Sequence, residues 1–379
     1  FKIKINNKIL FISGTRADFG KIKPLIQKVK SSKNLDYTIF VTGMHMLQKY
    51  GSTLDEISKS GFDQIYSFIN QDDIMGAQMD YVTANTINGL GLYVREFRPD
   101  LIVVHGDRTE ALAGAIVGVL NNILVAHIEG GEVSGTVDGL IRHAITKLSH
   151  IHFTTNKMAK DRLIQMGEES SNIYVIGSPE IDVLLSKKLP KIEEVKKYYQ
   201  IDFSNYGIFI YHPVTSEINN TRENISNVID SIIESKLNYV VIYPNNDAGS
   251  DIIFNEITRL QNLNKFRLLP SMRFESYVTL MKNANFIIGN SSSGVREAPV
   301  FGLPTINIGT RQMNRNKSKS IVNVNENKKE ISYAIKNLQS KIKPTSKFGY
   351  GKSAEKFIKI LNSSNFWKIS IQKDFVDKN

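Results

Sequence analysis

The 379-residue chain contains no cysteine, which excludes a disulfide framework, a thiolate metal site and a catalytic thiol. It has no long apolar run either. Asn121 and Asn122 break the longest one before it reaches the roughly 18 residues that a membrane-spanning helix needs. The basic N-terminus carries no apolar h-region and no small-residue cleavage site, so no secretory leader is read there. A cytoplasmic protein with no membrane partner is expected. Without G-x-G-x-x-G the chain lacks the best support for NAD or FAD, and without G-x-x-x-x-G-K-[ST] it has no P-loop. No Asp-x-Asp pair offers a divalent cation site beside a diphosphate. No histidine stands at metal-ligand spacing from a second histidine on one helix face. Neither a metal nor a cofactor is therefore expected.

What is present describes a globular protein. Hydrophobic residues make up 41% and charged residues 22% of the sequence, ordinary values for a soluble fold. The length exceeds one domain of 100–200 residues, so two are expected. The net charge is +11, but the lysines are scattered along predicted helices and the C-terminal tail. No recognition helix, zinc finger or ribonucleoprotein motif accompanies them. Nucleic acid is not an expected partner, and a positive field suits a small anionic substrate.

Strand and helix signals alternate along the chain. Ile9–Ser13, Tyr37–Thr42, Gln64–Ile69, Leu101–Val104, Ile123–Ile128, His152–Thr155 and Ile173–Ile176 read as seven strands. A second series reads Ile208–Tyr211, Tyr239–Tyr243, Phe266–Leu269, Phe286–Gly289 and Thr305–Ile308. Short β-branched runs of this kind are those of buried parallel strands. The pattern predicts an α/β protein of two Rossmann-like, doubly wound domains facing a central cleft. Residues 1–178 form the first and 179–349 the second, with the helical tail of 350–379 packing back on the first.

The stretch His105–Asp138 organises the rest. Asp107 follows one apolar strand, Glu129 follows the next, and Asp138 comes after a loop containing Gly130, Gly131 and Gly135. Open α/β sheets bind ligands past the carboxyl ends of their strands. One acid in such a place is often a helix cap, and Asp107 could cap the helix from about Thr109 to Leu120. Three acids on adjacent loops, with His105, Arg108 and His127 among them, make a catalytic cluster the better reading.

Other strand-end loops read as a phosphate and nucleotide site. Arg16 occupies the first strand–helix turn, where a helix N-terminus favours anions. His212-Pro-Val-Thr215, Tyr243–Ser250 and Gly289–Glu297 each follow a strand of the second series. Ser291–Ser293 add hydroxyl donors, and Glu297 can accept both hydroxyls of a ribose. Taken singly these are a turn, an N-cap and a dipole partner; together they border one cleft.

The motifs GTRADFG, HGDR, HIEGGEVSGTVD, IRHAITKLSH, HPVT, YPNNDAGS and GNSSSGVRE-APVFGLPTINIGTRQ together resemble the hydrolysing UDP-N-acetylglucosamine 2-epimerases of sialic and legionaminic acid synthesis. The resemblance runs from about Leu10 to Arg315. It implies a GT-B-like fold, UDP-GlcNAc and water as substrates, and N-acetylmannosamine and UDP as products. It also implies no redox cofactor, and a homodimer or homotetramer. By motif, Asp107, Glu129 and Asp138 match the family's catalytic acids. Arg16, Arg108, His212, Asn245, Ser291, Ser292, Glu297 and Arg311 match its UDP-binding positions, and Arg273 and Phe274 fall where it places a uracil-contacting loop. His45 and the loop 132–137 are candidates to touch the sugar. Phe19 stands where a tyrosine is common, so no hydroxyl role is carried over there.

The chemistry suits these residues. The proton on C2 of the sugar has no neighbouring carbonyl to acidify it, so its removal must accompany expulsion of UDP from C1, giving a 2-acetamidoglucal. Nearby carboxylates stabilise an oxocarbenium-like transition state of this kind. Hydration then returns a proton to the opposite face of C2, and two faces need at least two acid/base groups. Two alternatives stay open: UDP-N,N′-diacetylbacillosamine as the sugar nucleotide, and a GT-B glycosyltransferase that passes the sugar to an acceptor.

Overall fold

A computed structural model of the chain describes residues 6–48, 53–71, 78–134, 137–245, 247–313, 315–316, 318–345 and 347–377. The N-terminal apolar runs form β1 (Asn7–Ser13), β2 (Leu35–Val41), β3 (Ile65–Ser67), β4 (Leu101–His105), β5 (Leu124–Ile128), β6 (Ile151–Thr154) and β7 (Ile173–Val175). They pair in parallel in the order β3-β2-β1-β4-β5-β6-β7. The second series forms β8 (Gly207–Ile210), β9 (Tyr239–Ile242), β10 (Phe266–Leu269), β11 (Phe286–Gly289), β12 (Thr305–Ile308) and β13 (Ile321–Val324). These are also parallel, in the order β10-β9-β8-β11-β12-β13. Strand order reverses between β1 and β4 and again between β8 and β11, and crevices for ligands open at such points.

Alternation along β1 builds the first core on both faces of its sheet. Ile9 and Phe11 pack with the helix Arg16–Lys30, while Leu10 and Ile12 pack with Ala111 and Ala115 of the helix Thr109–Leu120. That second helix lies close to the strands because Gly114 faces them. A Cβ there would stand 2.3 Å from Ile12 Cδ1. Gly289 does the same work at the second reversal. Its φ is 132°, and a side chain would run into the carbonyl of Ile210 at 1.8 Å, so β11 can turn out of the sheet only as glycine.

The C-terminal helix, Ser353–Leu361, belongs to the first core. Phe357 is fully buried there, edge-on to Phe153 at 4.9 Å and tilted against Phe11 at 6.5 Å. Beyond it, Lys373 Nζ donates to the carbonyls of Thr146, Lys147 and Ser149, at the end of the helix Val137–Leu148. Two elements depart from expectation. The strand β13 was not expected, and a helix over Thr53–Lys59 follows the second strand. Among the described residues no helix is long and apolar enough to cross a membrane. Phe357→Ala should cost about 3–5 kcal/mol of stability in denaturant unfolding, the usual loss for a buried aromatic. A loss under about 1 kcal/mol would contradict a structural role for this contact.

Candidate active site

Three loops of the first domain and five of the second, all at carboxyl ends of strands, border one cavity of about 300 Å³. Arg16, Asp107, Arg108, His212, Asn245, Phe274, Ser291, Ser292, Glu297 and Arg311 all line it. Four expected residues do not line it: Glu129, Asp138, His45 and Arg273. His45 and Arg273 border a neighbouring cavity of about 320 Å³ that shares Arg16, Thr53 and Phe274 with the first. His45 departs furthest from expectation. It is buried, and both ring nitrogens are engaged, Nε2 with Ser13 Oγ at 2.9 Å and Nδ1 with Thr53 Oγ1 at 2.7 Å. Burial lowers its pKa to about 4, so it is a neutral structural imidazole. Phe19 packs edge-on against Phe62 in the core. Gly135 and Asn246, both in expected loops, lie outside the described residues.

Each of the three acids is paired with an arginine. Asp107 does not cap the helix after it: the cap position is Arg108, and no side chain caps there. Its carboxylate instead meets Arg142. Burial pushes Asp107 up, but Arg142, Arg315, Arg311 and His105 outweigh it and hold the carboxyl below its usual range. Glu129 follows β5 with φ at 66°, a backbone strain that non-glycine residues accept where the surroundings fix it. It is 3% exposed, accepts from Ser178 Oγ, and lies 2.8 Å from Arg296 Nη2. Burial again acts upward, and Arg296, His105 and Lys21 overcome it to hold Glu129 well below the ordinary carboxylate value. Asp138, in the first turn of Val137–Leu148, faces Arg311 Nη2 across the cleft at 3.6 Å. Asp107 and Asp138 each keep 24% of the side chain exposed, whereas Glu129 opens little to solvent; of the three only Asp107 is part of the cavity wall.

The opposite wall suits a nucleotide. His212 Nδ1 accepts the backbone N–H of Asn245 at 3.1 Å. Burial, with Arg311 and Arg108 nearby, keeps the ring well below its usual pKa and neutral. The proton therefore sits on Nε2, which makes His212 a neutral donor. Asn290 fixes that loop, accepting from His212 N–H at 2.7 Å and donating to its carbonyl at 2.8 Å. Ser291 does cap the helix Ser292–Arg296, accepting from Ser293 N–H at 3.4 Å, and also lines the cavity. Asn245 Oδ1 and Glu297 Oε2 have no hydrogen-bond partner among the described residues. Arg16 donates to Ser271 across the cleft at 2.6 Å and to Glu56 at 2.9 Å. Arg273 reaches the same Glu56 at 3.1 Å. Arg108 is held by buried Glu110 at 3.1 Å.

Several residues at the site carry no role in the sequence reading. His105, noted only as lying among the acids, donates from Nδ1 to Asp18 at 2.7 Å and lies 3.6 Å from Glu129 through Nε2. Burial alone would lower its pKa, but the Asp18 and Glu129 carboxylates raise it to about 9. Arg142 and Arg296 stand inside motifs singled out for other residues. Lys21 and Glu180 carry no motif signal. Lys21 Nζ bridges Glu180 at 2.7 Å and Glu297 at 3.0 Å. Among the described residues no cluster of three histidine, aspartate or glutamate side chains could hold a metal.

The family model for UDP-N-acetylglucosamine 2-epimerase matches residues 27–362. A UDP-N-acetylglucosamine 2-epimerase of Neisseria meningitidis serogroup B is 45% identical over 377 residues, covering 98% of this chain and 99% of its own. A hydrolysing UDP-N,N′-diacetylbacillosamine 2-epimerase of Legionella pneumophila is 32% identical over 361 residues, covering 94% and 96%. In fold, the chain is similar to the UDP-GlcNAc 2-epimerase of Methanocaldococcus jannaschii solved with UDP-GlcNAc and UDP. The TM-score is 0.80 at 22% identity, over 93% of this chain and 99% of that one. The two doubly wound domains and the acid-lined cleft between them are thus those of an enzyme, and the chain belongs to the UDP-N-acetylglucosamine 2-epimerase family.

Proposed function

We propose that this chain is a hydrolysing UDP-GlcNAc 2-epimerase, releasing UDP and N-acetylmannosamine from UDP-GlcNAc and water. One observation carries the reading. Three carboxylates stand on the first domain beside a cavity whose second-domain wall offers neutral and cationic donors. A glycosyltransferase needs one base and an acceptor groove, and three clustered acids exceed that requirement. The 45% identity to a relative named for UDP-GlcNAc, against 32% to one named for diacetylbacillosamine, favours GlcNAc as the sugar.

In the first step a carboxylate takes the proton from C2, the C2–H electrons form the C1=C2 bond, and the C1–O bond breaks toward UDP. Asp107 and Glu129, both held below the ordinary carboxylate range, are charged at neutral pH and able to accept a proton. Arg16, Arg311 and the Nε2–H of His212 stabilise the charge that develops on the departing diphosphate. Asn245 and Glu297, with their free oxygens, accept from the uridine. In the second step water adds to C1 and a proton returns to the opposite face of C2. Asp138 and Glu129, at the two ends of the connection between β5 and the helix Val137–Leu148, supply the acid/base groups. The His105 imidazolium keeps Glu129 charged between turnovers.

Glu129→Gln and Asp138→Asn should each lower turnover by about 10²–10⁴, the usual worth of an acid/base group. UDP binding, read by calorimetry, should stay near wild type; full activity in both variants refutes these roles. His105 generates a second expectation. Its folded pKa, about 9, lies above the ordinary imidazole value of 6.5, so its ion pairs stabilise the fold fully below about 6.5 and fade as pH rises through 9. Unfolding measured from pH 6.5 to 10 should show wild type losing a stability component that His105→Asn lacks. Parallel curves for the two proteins would contradict a charged His105.

A further inference from the structure

Glu180 takes no part in the reaction above and does not line the cavity, yet it is a fully buried carboxylate, 0% exposed. Burying such a charge is costly unless it is well paired, and here the pairing is specific. Oε1 accepts from Arg296 Nε at 2.9 Å and Oε2 meets Lys21 Nζ at 2.7 Å. Lys21 also meets Glu297 at 3.0 Å, and Arg296 Nη2 also meets Glu129 at 2.8 Å. The result is one row of alternating charge, Glu297–Lys21–Glu180–Arg296–Glu129, continued by His105 and Asp18. Glu180 is its midpoint, at the start of the helix Pro179–Leu184 where the chain leaves the first sheet. Lys21 and Glu129 belong to the first domain, Arg296 and Glu297 to the second. The row therefore closes only when the two domains stand in this relation.

We infer that Glu180 is a positioning residue for the reaction: by fixing the Nε edge of Arg296 it aims the other edge at Glu129, and through Lys21 it ties the ribose-side carboxylate Glu297 to the carboxylate that moves the proton. The planar guanidinium makes this possible, since two acids on two edges fix its plane where one would leave it free to pivot. Ser178, two residues before Glu180, completes the hold on Glu129 with its own hydroxyl. The inference rests on the proposed proton-transfer role of Glu129.

Glu180→Gln tests it, because the amide keeps the shape but offers one acceptor oxygen where two cations each need one. The charged groups facing Glu180 are Lys21, Arg296, Glu129 and Glu297. Those facing Glu129 are Arg296, His105 and Lys21, and Glu132 and Arg315 face Arg296. Removing the like charge of Glu180 leaves Glu129 a weaker base. The expected result is kcat down by at least about tenfold, the acid limb of the kcat profile moved to lower pH, and a Kd for UDP within about threefold of wild type. Wild-type kcat and an unmoved limb, with only a lower Tm, would make Glu180 purely structural and overturn the inference. Loss of UDP affinity with kcat intact would overturn it as well. Should Glu180→Gln not fold, Glu180→Asp decides. It keeps the charge with a shorter reach, so kcat should fall while the limb stays in place, and wild-type kcat contradicts the positioning role. Glu129→Gln is assayed alongside. Full activity there overturns the reading of Glu129 together with this inference. Its loss beside an unaffected Glu180→Gln overturns this inference alone.

Discussion

Charges shut away from water between two domains, each answered by a charge on the other, constrain everything else in this protein. Glu129 is on the first domain and its arginine on the second; Lys21 is on the first and Glu297 on the second. A buried charge left without its partner costs several kcal/mol, so neither domain satisfies its own site. The relation between the domains and the ionisation of Glu129 are one physical fact. Paired in this way, Glu129 is held well below the ordinary carboxylate value, whereas burial and the neighbouring Glu180 push Glu297 up.

The two domains divide the remaining work. Strand order reverses once in each sheet, and the loops at the two reversals face each other across the cavity. The first domain contributes Asp107, Arg16 and Arg108, and the second His212, Asn245, Ser291, Glu297 and Arg311. His212 shows how finely a donor can be set: one backbone amide fixes its tautomer, and burial with two arginines fixes its charge. The neutral ring adds no cation to a cavity that Arg108 and Arg311 already line. Arg16 shows the same economy from the first domain, since Glu56 and Ser271 hold its guanidinium at the cavity edge.

Local signals were legible in the sequence and distant pairings were not. Phe266–Leu269, Phe286–Gly289 and Thr305–Ile308 form strands over their expected spans, because a buried parallel strand is a continuous apolar run. The edge strand Ile321–Val324 escaped notice because Val322 and Asn323 are exposed, which breaks that run. Among the site residues, ten of the fourteen singled out line the cavity, since strand-end loops at a reversal must border it. His45 lies in such a loop too, but a helix that sequence did not reveal, Thr53–Lys59, brings Thr53 onto its ring. Lys21, Glu180 and Arg296 were invisible as site residues for another reason. Their meaning comes from partners far away in the chain, and no spacing rule reaches that distance.

The central claim is that the acids exchange the C2 proton while UDP leaves, and proton NMR of the full chain with UDP-GlcNAc in deuterated water tests it most directly. Free UDP and N-acetylmannosamine carrying deuterium at C2 are the products this account requires. Free sugar that keeps the original C2 proton, or a mannosamine product still bound to UDP, would contradict it.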